Sequence, residues 1–145
     1  MKDVIKISSQ GRVIAFIVKA RFKAKGVHFF TPDDFSQQFA YISWPKGHVI
    51  NSHIHPPAVR SIRNHQEVIF IKKGKIRVDF YDRGKRYIES RIVGKGDILF
   101  LASGGHGYQM MKDAEMVEVK QGPFLKTIQP LRFEPVRKNR VRLKS

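Results

Sequence analysis

Short runs of β-branched and aromatic residues recur along this chain at intervals of roughly ten residues, separated by Gly, Pro, Asn and Asp. Apolar residues three and four positions apart, which would indicate helices, are nearly absent. The pattern is typical of an all-β protein. It predicts about eleven strands, at 4–7, 13–19, 27–30, 39–43, 49–53, 67–72, 75–81, 87–93, 97–101, 105–111 and 116–120.

Three short segments between these strands predict local structure. Lys72-Lys73-Gly74-Lys75 and Asp82-Arg83-Gly84-Lys85 place Gly between strands, which predicts two hairpins. Thr31-Pro32-Asp33-Asp34 predicts a helix of a single turn, with Thr as N-cap. Because the 145 residues contain no repeat or linker, we expect one domain, either a β-sandwich or a closed jelly-roll barrel.

Charge is concentrated at the two ends of the chain. The sequence has 28 Lys and Arg against 12 Asp and Glu, a formal net charge of +16. Such a balance suggests nucleic acid or an acidic membrane surface as partner. From about residue 135 we expect a basic, flexible arm, which either binds phosphates or solubilises the chain. Nucleic acid is not favoured, because no RNA-binding aromatic signature accompanies the charge.

The chain has no cysteine, which excludes a disulfide scaffold, a thiolate nucleophile, an iron–sulfur cluster and a zinc finger. Any metal site must therefore use His and carboxylates. The longest apolar run, Val13 to Val18, is far shorter than the roughly 20 residues that a membrane-spanning helix needs. No secretory signal is apparent in the first dozen residues, so we expect a cytoplasmic protein.

Two histidines are spaced for metal binding. His53 and His55 are two residues apart on a predicted strand, so their imidazoles point to one face. Glu67 opens the next strongly apolar strand, and His106 follows the strand at 97–101. Together these four residues predict a site for one divalent metal ion, either iron, manganese, nickel or zinc.

The arrangement resembles the cupin superfamily. Gly47-His-Val-Ile-Asn-Ser-His53-Ile-His55 is similar to the opening of the family's first motif, and Glu67-Val-Ile-Phe-Ile-Lys-Lys-Gly74 to its close. Gly96-Asp97 to His106 is similar to the second motif. The resemblance implies a single cupin-type jelly-roll barrel over residues 1–145, with the metal inside.

The sequence departs from the family pattern in three ways. Residues 56–66 intervene between the second His and Glu67, where the family has only a few, and this insertion places His65 as a competing ligand. Ala102 replaces the turn proline, and His106 arrives one residue early. We favour Glu67 over His65 as the fourth ligand, because Glu67 keeps its distance to Gly74.

Further residues are expected to line the pocket. Tyr108 shares a strand face with His106, and His65 shares one with Glu67, so both are candidates for proton transfer. Arg60 and Arg63 in the insertion could bind an anionic ligand at the barrel mouth. Glu118 is an alternative base, if its face of the strand lines the cavity.

Three functions stay open at this point. The first is a metal-dependent isomerase, epimerase or dioxygenase, and the resemblance implies a sugar or organic acid ligand, linked to bacterial surface-carbohydrate synthesis. The second is a module that binds a small anion or sugar without turnover. The third is a polyanion-binding protein that uses its basic ends. We expect a homodimer, because the apolar strands at 4–7 and 13–19 need cover.

Overall fold

The computed structural model describes residues 3–59, 61–62, 64–122 and 130–145. Within these ranges the secondary structure is eight strands and one 3-10 turn at Lys138–Arg140, with no α-helix. The strands are β1 (Val4–Ser9), β2 (Arg12–Val18), β3 (Gly26–Phe29), β4 (Ala40–Ser43), β5 (Glu67–Tyr81), β6 (Tyr87–Gly94), β7 (Ile98–Leu101) and β8 (Gly105–Lys120). The all-β prediction is confirmed. No described helix is long and apolar enough to cross a membrane.

The chain divides into two compact units. One comprises residues 1–22 and 64–145, and the other comprises residues 23–63. The smaller unit holds the antiparallel pair β3–β4, in which Gly26 lies opposite Ser43 and Phe29 opposite Ala40. The larger unit holds the other six strands in one antiparallel sheet.

β5 is the central strand of the large sheet. The order is β1-β2-β7-β5-β6, and β8 runs along the other side of β5. The first residues of β5, Glu67 to Phe70, pair with β7, and its second half from Lys75 pairs with β6. Each half of β5 therefore has a neighbour on both sides.

The β5–β8 ladder is bent near its middle, and the sheet curls into a half-barrel. Its register shifts three times between Ile71 and Ile76, and such bulges bend a strand and increase its twist. Gly74 sits inside this region with φ +87°, and a Cβ on it would overlap the Asp113 carbonyl oxygen. The hairpin predicted at 72–75 is therefore wrong, because the chain continues through the bend in the same strand.

An apolar core lies on the inner face of the curled sheet. Every member is at most 4% exposed, and burying each larger side chain contributes about 1.5–3 kcal/mol relative to exposure. The core comprises Ile7, Ile14, Ala15, Ile17, Ile69, Ile71, Ile76, Val78, Phe80, Val93, Leu99 and Leu101. In β5 the alternating apolar residues on either side of the bend all face this core.

Several other local predictions are settled by the structure. The hairpin at Asp82 to Lys85 is confirmed, since Lys85 N donates to Asp82 O at 3.0 Å and joins β5 to β6. The strands predicted at 67–72 and 75–81 form one strand, β5, and those predicted at 105–111 and 116–120 form one strand, β8. The predicted count of about eleven strands is therefore too high. The strand at 49–53 is wrong: residues 44–59 contain no strand and 45–59 are all exposed.

The predicted helical turn at Thr31 is a simple turn instead. Phe35 N donates to Pro32 O at 3.2 Å, and the chain does not continue as a helix. The Thr31 hydroxyl accepts from Phe39 N at 2.9 Å and donates to the Gln38 side chain at 3.0 Å. Thr31 therefore closes the loop onto β4. An N-cap residue would instead accept a hydrogen bond from the first turn of its own helix.

The basic C-terminal segment lies against β6. Ser90 N donates to Arg142 O at 2.9 Å, and Lys144 N donates to Ser90 O at 3.0 Å. These two bonds form a parallel bridge between Ser90 and Leu143. The segment that the sequence predicts as an arm thus has its last residues paired to the sheet.

Candidate functional site

Glu67 places a carboxylate on the core-facing side of the curled sheet. It opens β5, two residues before the buried Ile69, and so shares a strand face with the core. Its side chain is only 13% exposed. The Oε2 atom is buried and has no hydrogen-bond donor in the described part of the chain.

His106 approaches this carboxylate from the start of β8. Its Nε2 atom lies 3.4 Å from Glu67 Oε2. The Nε2 atom of His65 lies 3.8 Å from the other oxygen, Oε1, although the His65 side chain is 59% exposed. The carboxylate therefore lies between two imidazoles, one largely buried and one largely in solvent.

Burial keeps His106 neutral near pH 7. It lowers the pKa of the imidazole below the ordinary value of 6.5, and the charge of Lys120 lowers it further. The negative charges of Glu67 and Glu118 act in the opposite direction but do not reverse the shift. A neutral imidazole offers a lone pair to a metal ion or to a proton.

Tyr108 lies beside His106 on the same face of β8. The two rings are 5.2 Å apart between centroids, and the tyrosine hydroxyl is buried without a described hydrogen-bond partner. Burial raises the pKa of Tyr108 well above its ordinary value, and the charges of Glu67 and Glu118 raise it further. The phenol therefore stays protonated at neutral pH and can donate a hydrogen bond to a ligand.

Two charged residues of β8 flank this group. Glu118 pairs with Ile69 and Lys120 with Glu67 across the ladder, and paired residues share a face of the sheet. Lys120 Nζ lies 2.8 Å from Glu118 Oε2, and both side chains are partly exposed. Glu118 was recognised from the sequence, but Lys120 was not. Its two-residue spacing from Glu118 was the available signal, and the register with Glu67 was not predictable.

His53 and His55 belong to the smaller unit, where both are exposed. Their ring centroids are 5.0 Å apart, so they lie close together even without a strand. His53 Nδ1 donates to Asn51 O at 2.9 Å, so Nε2 is the ring nitrogen left to contact another group. That these two residues bind one ion together with Glu67 and His106 stays a prediction.

No three His, Asp or Glu side chains within the described ranges form a group with metal-binding geometry. The residue types of Glu67 and His106 nevertheless suit a divalent ion. A carboxylate oxygen without a hydrogen bond faces a neutral imidazole there. Arg60 and Arg63, predicted to bind an anion, lie outside the described residues.

Comparison with known proteins identifies no relative. No protein-family model matches the chain, and neither a curated protein nor a solved structure shows significant similarity to it. The likeness to cupins therefore rests on the residues from Gly47 to His106.

Proposed function

We propose that the chain is a cupin-type protein that binds a small polar ligand, either a sugar or an organic acid, on the core-facing side of its curled sheet. Glu67 and His106 hold a divalent metal ion in this proposal. The observation that carries it is the buried Glu67 Oε2 atom, which lacks a hydrogen bond and lies 3.4 Å from His106 Nε2.

The energetics of the unpartnered groups support a ligand. A buried polar atom without a partner costs about 1–3 kcal/mol. Glu67 Oε2 and the Tyr108 hydroxyl are two such atoms, and they are the two found among the described side chains. A metal ion on the carboxylate and a polar ligand on the hydroxyl would satisfy both.

The residues of the cluster provide an acid–base set. Tyr108 donates a hydrogen bond to the ligand, and Lys120, which pairs with Glu67 across the ladder, offers it a positive charge, while the lone pair of His106 is taken up by the metal ion. A bound divalent metal would polarise a carbonyl or hydroxyl of the ligand. His65, next to Glu67 and exposed to solvent, is suited to exchange protons with water.

The proposal covers two cases, an enzyme that converts the ligand and a module that only binds it. As an enzyme, the protein is an isomerase, epimerase or dioxygenase, with surface-carbohydrate synthesis as its context; as a binding module, it holds the same ligand unchanged. Turnover as an isomerase or epimerase would require proton transfer at Tyr108, whereas binding requires only a hydrogen bond there. Tyr108→Phe therefore separates the two, because it abolishes catalysis but only weakens binding.

The first test is metal binding by purified protein. We expect about one manganese, iron, nickel or zinc per chain by elemental analysis, and at least a tenfold loss of affinity in Glu67→Gln and in His106→Gln. Glu115→Gln and His48→Gln are matched controls, because both residues are exposed: Glu115 forms an ion pair with Lys73, and His48 belongs to the smaller unit. Undiminished metal binding in both cluster variants would contradict the proposed ligands.

The homodimer expected from the sequence stays part of the proposal. Within the large sheet β2 is covered by β1 and β7, whereas β1 is an edge strand with β2 as its one neighbour among the described strands. β8 also exposes apolar side chains, among them Met110, Val117 and Val119. Analytical ultracentrifugation across a range of concentrations measures the state directly, and a monomer at all concentrations would exclude the dimer.

A further inference from the structure

A groove of about 750 Å³ lies between the β5–β6 hairpin and the C-terminal segment, apart from the proposed metal site. Tyr81 and Tyr87 line it from the strands, and four cationic side chains line it with a single carboxylate, Glu134. The four cations are Lys85, Arg137, Arg140 and Arg142. The groove is thus strongly positive in a chain that already carries a net charge of +16.

The groove is held in shape by the two tyrosines. Tyr81 Oη accepts a hydrogen bond from Val136 N at 2.9 Å, and Tyr87 Oη accepts one from Arg142 N at 2.8 Å. The Tyr87 hydroxyl also contacts Ser90 Oγ, which is fully buried. Because the backbone of the segment is tied to the sheet at these two points, a ligand would not have to order it.

Three of the cations are available to a ligand. Lys85, Arg137 and Arg140 are exposed and make no ion pair with any described residue. Arg142 is fixed in place, since its guanidinium donates to the Ile88 carbonyl at 2.6 Å and lies 5.3 Å from the centre of the Tyr87 ring. A row of guanidinium groups on a fixed backbone suits phosphate oxygens, which arginine binds in bidentate fashion.

The aromatic rings of this region carry cations on their faces. Arg142 lies over Tyr87, and Lys85 Nζ lies 5.9 Å from the centre of the Phe133 ring. These rings position positive charge, and the covered faces are not open for base stacking. Contacts to the phosphate backbone fix a nucleic acid without reading its sequence, whereas stacking on aromatic side chains holds individual bases.

We propose that this groove binds the phosphodiester backbone of nucleic acid without base preference. The long-range field of the +16 chain favours a polyanion over a small phosphate compound, because it attracts every charge of the strand. The sequence alone did not favour nucleic acid, because no RNA-binding aromatic signature accompanies the charge. The structure adds that Tyr81, Tyr87 and the tail arginines line one groove.

The test is fluorescence anisotropy with labelled twelve-nucleotide oligomers of uridine and of adenosine. At about 0.1 M salt, Arg137→Gln with Arg140→Gln should weaken binding of both oligomers roughly 10- to 30-fold and reduce the slope of log affinity against log salt by about 1.4. The matched control, Lys72→Gln with Lys95→Gln, removes the same charge from exposed positions elsewhere. It should weaken binding no more than threefold, and thermal melting should be unchanged in both double variants.

Three results would overturn the proposal. The first is an equal loss of affinity in the two double variants, which would indicate attraction to the net charge alone. The second is absence of binding by the wild-type chain at 50 mM salt. The third is competition by uridine monophosphate as effective, per phosphate, as the oligomer, which would make the groove a site for small phosphate compounds.

Discussion

The Oε2 atom of Glu67 lies 3.4 Å from Nε2 of His106, although the two residues belong to opposite ends of the β5–β8 ladder. Glu67 pairs with Lys120, whereas His106 pairs with Phe80 near the far end of β5. A straight strand of fifteen residues would be about 50 Å long. The contact exists because the ladder bends back on itself, so the bend is a condition for the proposed site.

Gly74 is expected to be essential for that bend. Its φ of +87° and the close approach of Asp113 leave no space for a Cβ. We expect Gly74→Ala to lower the free energy of unfolding by about 2–4 kcal/mol, since strain and overlap act together. Gly11→Ala is the control, because Gly11 also has a positive φ but has open space around it, and should cost about 1 kcal/mol.

Urea denaturation of the two variants measures both effects. A loss in Gly74→Ala no larger than that in Gly11→Ala would show that the overlap is relieved at no cost. The bend would then not depend on glycine at this position.

Much of the large sheet was predictable from the sequence, because two-residue alternation is a local signal. It predicted that Tyr108 shares a face with His106 and that His65 shares one with Glu67. The sequence grouped Glu67 and His106 as ligands of one metal ion, and the cupin resemblance supported the grouping, but no local signal predicted their contact, because it depends on register shifts far from both residues. The stretch around His53 was misread as a strand because its apolar residues, Val49 and Ile50, are exposed instead of buried.

Tyr108→Phe should leave the protein as stable as the wild type or stabilise it by about 1 kcal/mol. The hydroxyl is buried without a partner, so removing it relieves an unfavourable desolvation. Thermal melting without ligand measures this directly. A destabilisation above about 1 kcal/mol would show that the hydroxyl has a partner in solution, and would weaken its assignment to a ligand.

Ser90→Ala should destabilise the protein by about 1–3 kcal/mol. Ser90 Oγ donates to Asp79 Oδ1 at 2.5 Å and contacts Tyr87 Oη at 2.7 Å, so alanine removes the link between the buried carboxylate and the tyrosine that holds the tail. Ser61→Ala is the control, because Ser61 is exposed.

Hydrogen exchange adds a local measurement to the stability of Ser90→Ala. The Arg142 amide donates to Tyr87 Oη, so it should exchange faster in this variant than in the wild type. Unchanged stability together with unchanged exchange at Arg142 would show that the tail is held without this network.

Lys144→Gln should reduce stability at neutral pH and have no effect in acid. Glu89 is buried, which raises the pKa of its carboxyl group, but ion pairs with Lys144 and Arg91, both at 2.6 Å, lower that pKa below the ordinary value of 4.5. A carboxyl group whose pKa is lower in the folded state stabilises the fold above its unfolded pKa, and this contribution is lost as the pH falls through the folded pKa. The Lys144 side chain is 58% exposed, so solvent screening limits its share to about 0.5–1 kcal/mol at pH 7.

Chemical denaturation of Lys144→Gln at pH 7, 5 and 3 should therefore show a loss of stability that shrinks below about pH 4.5. The control is Lys138→Gln, which removes an exposed lysine without an ion pair to a described residue and should show no loss. A loss in Lys144→Gln that is as large at pH 3 as at pH 7 would mean that the lysine acts through packing of its stem and not through the Glu89 carboxylate.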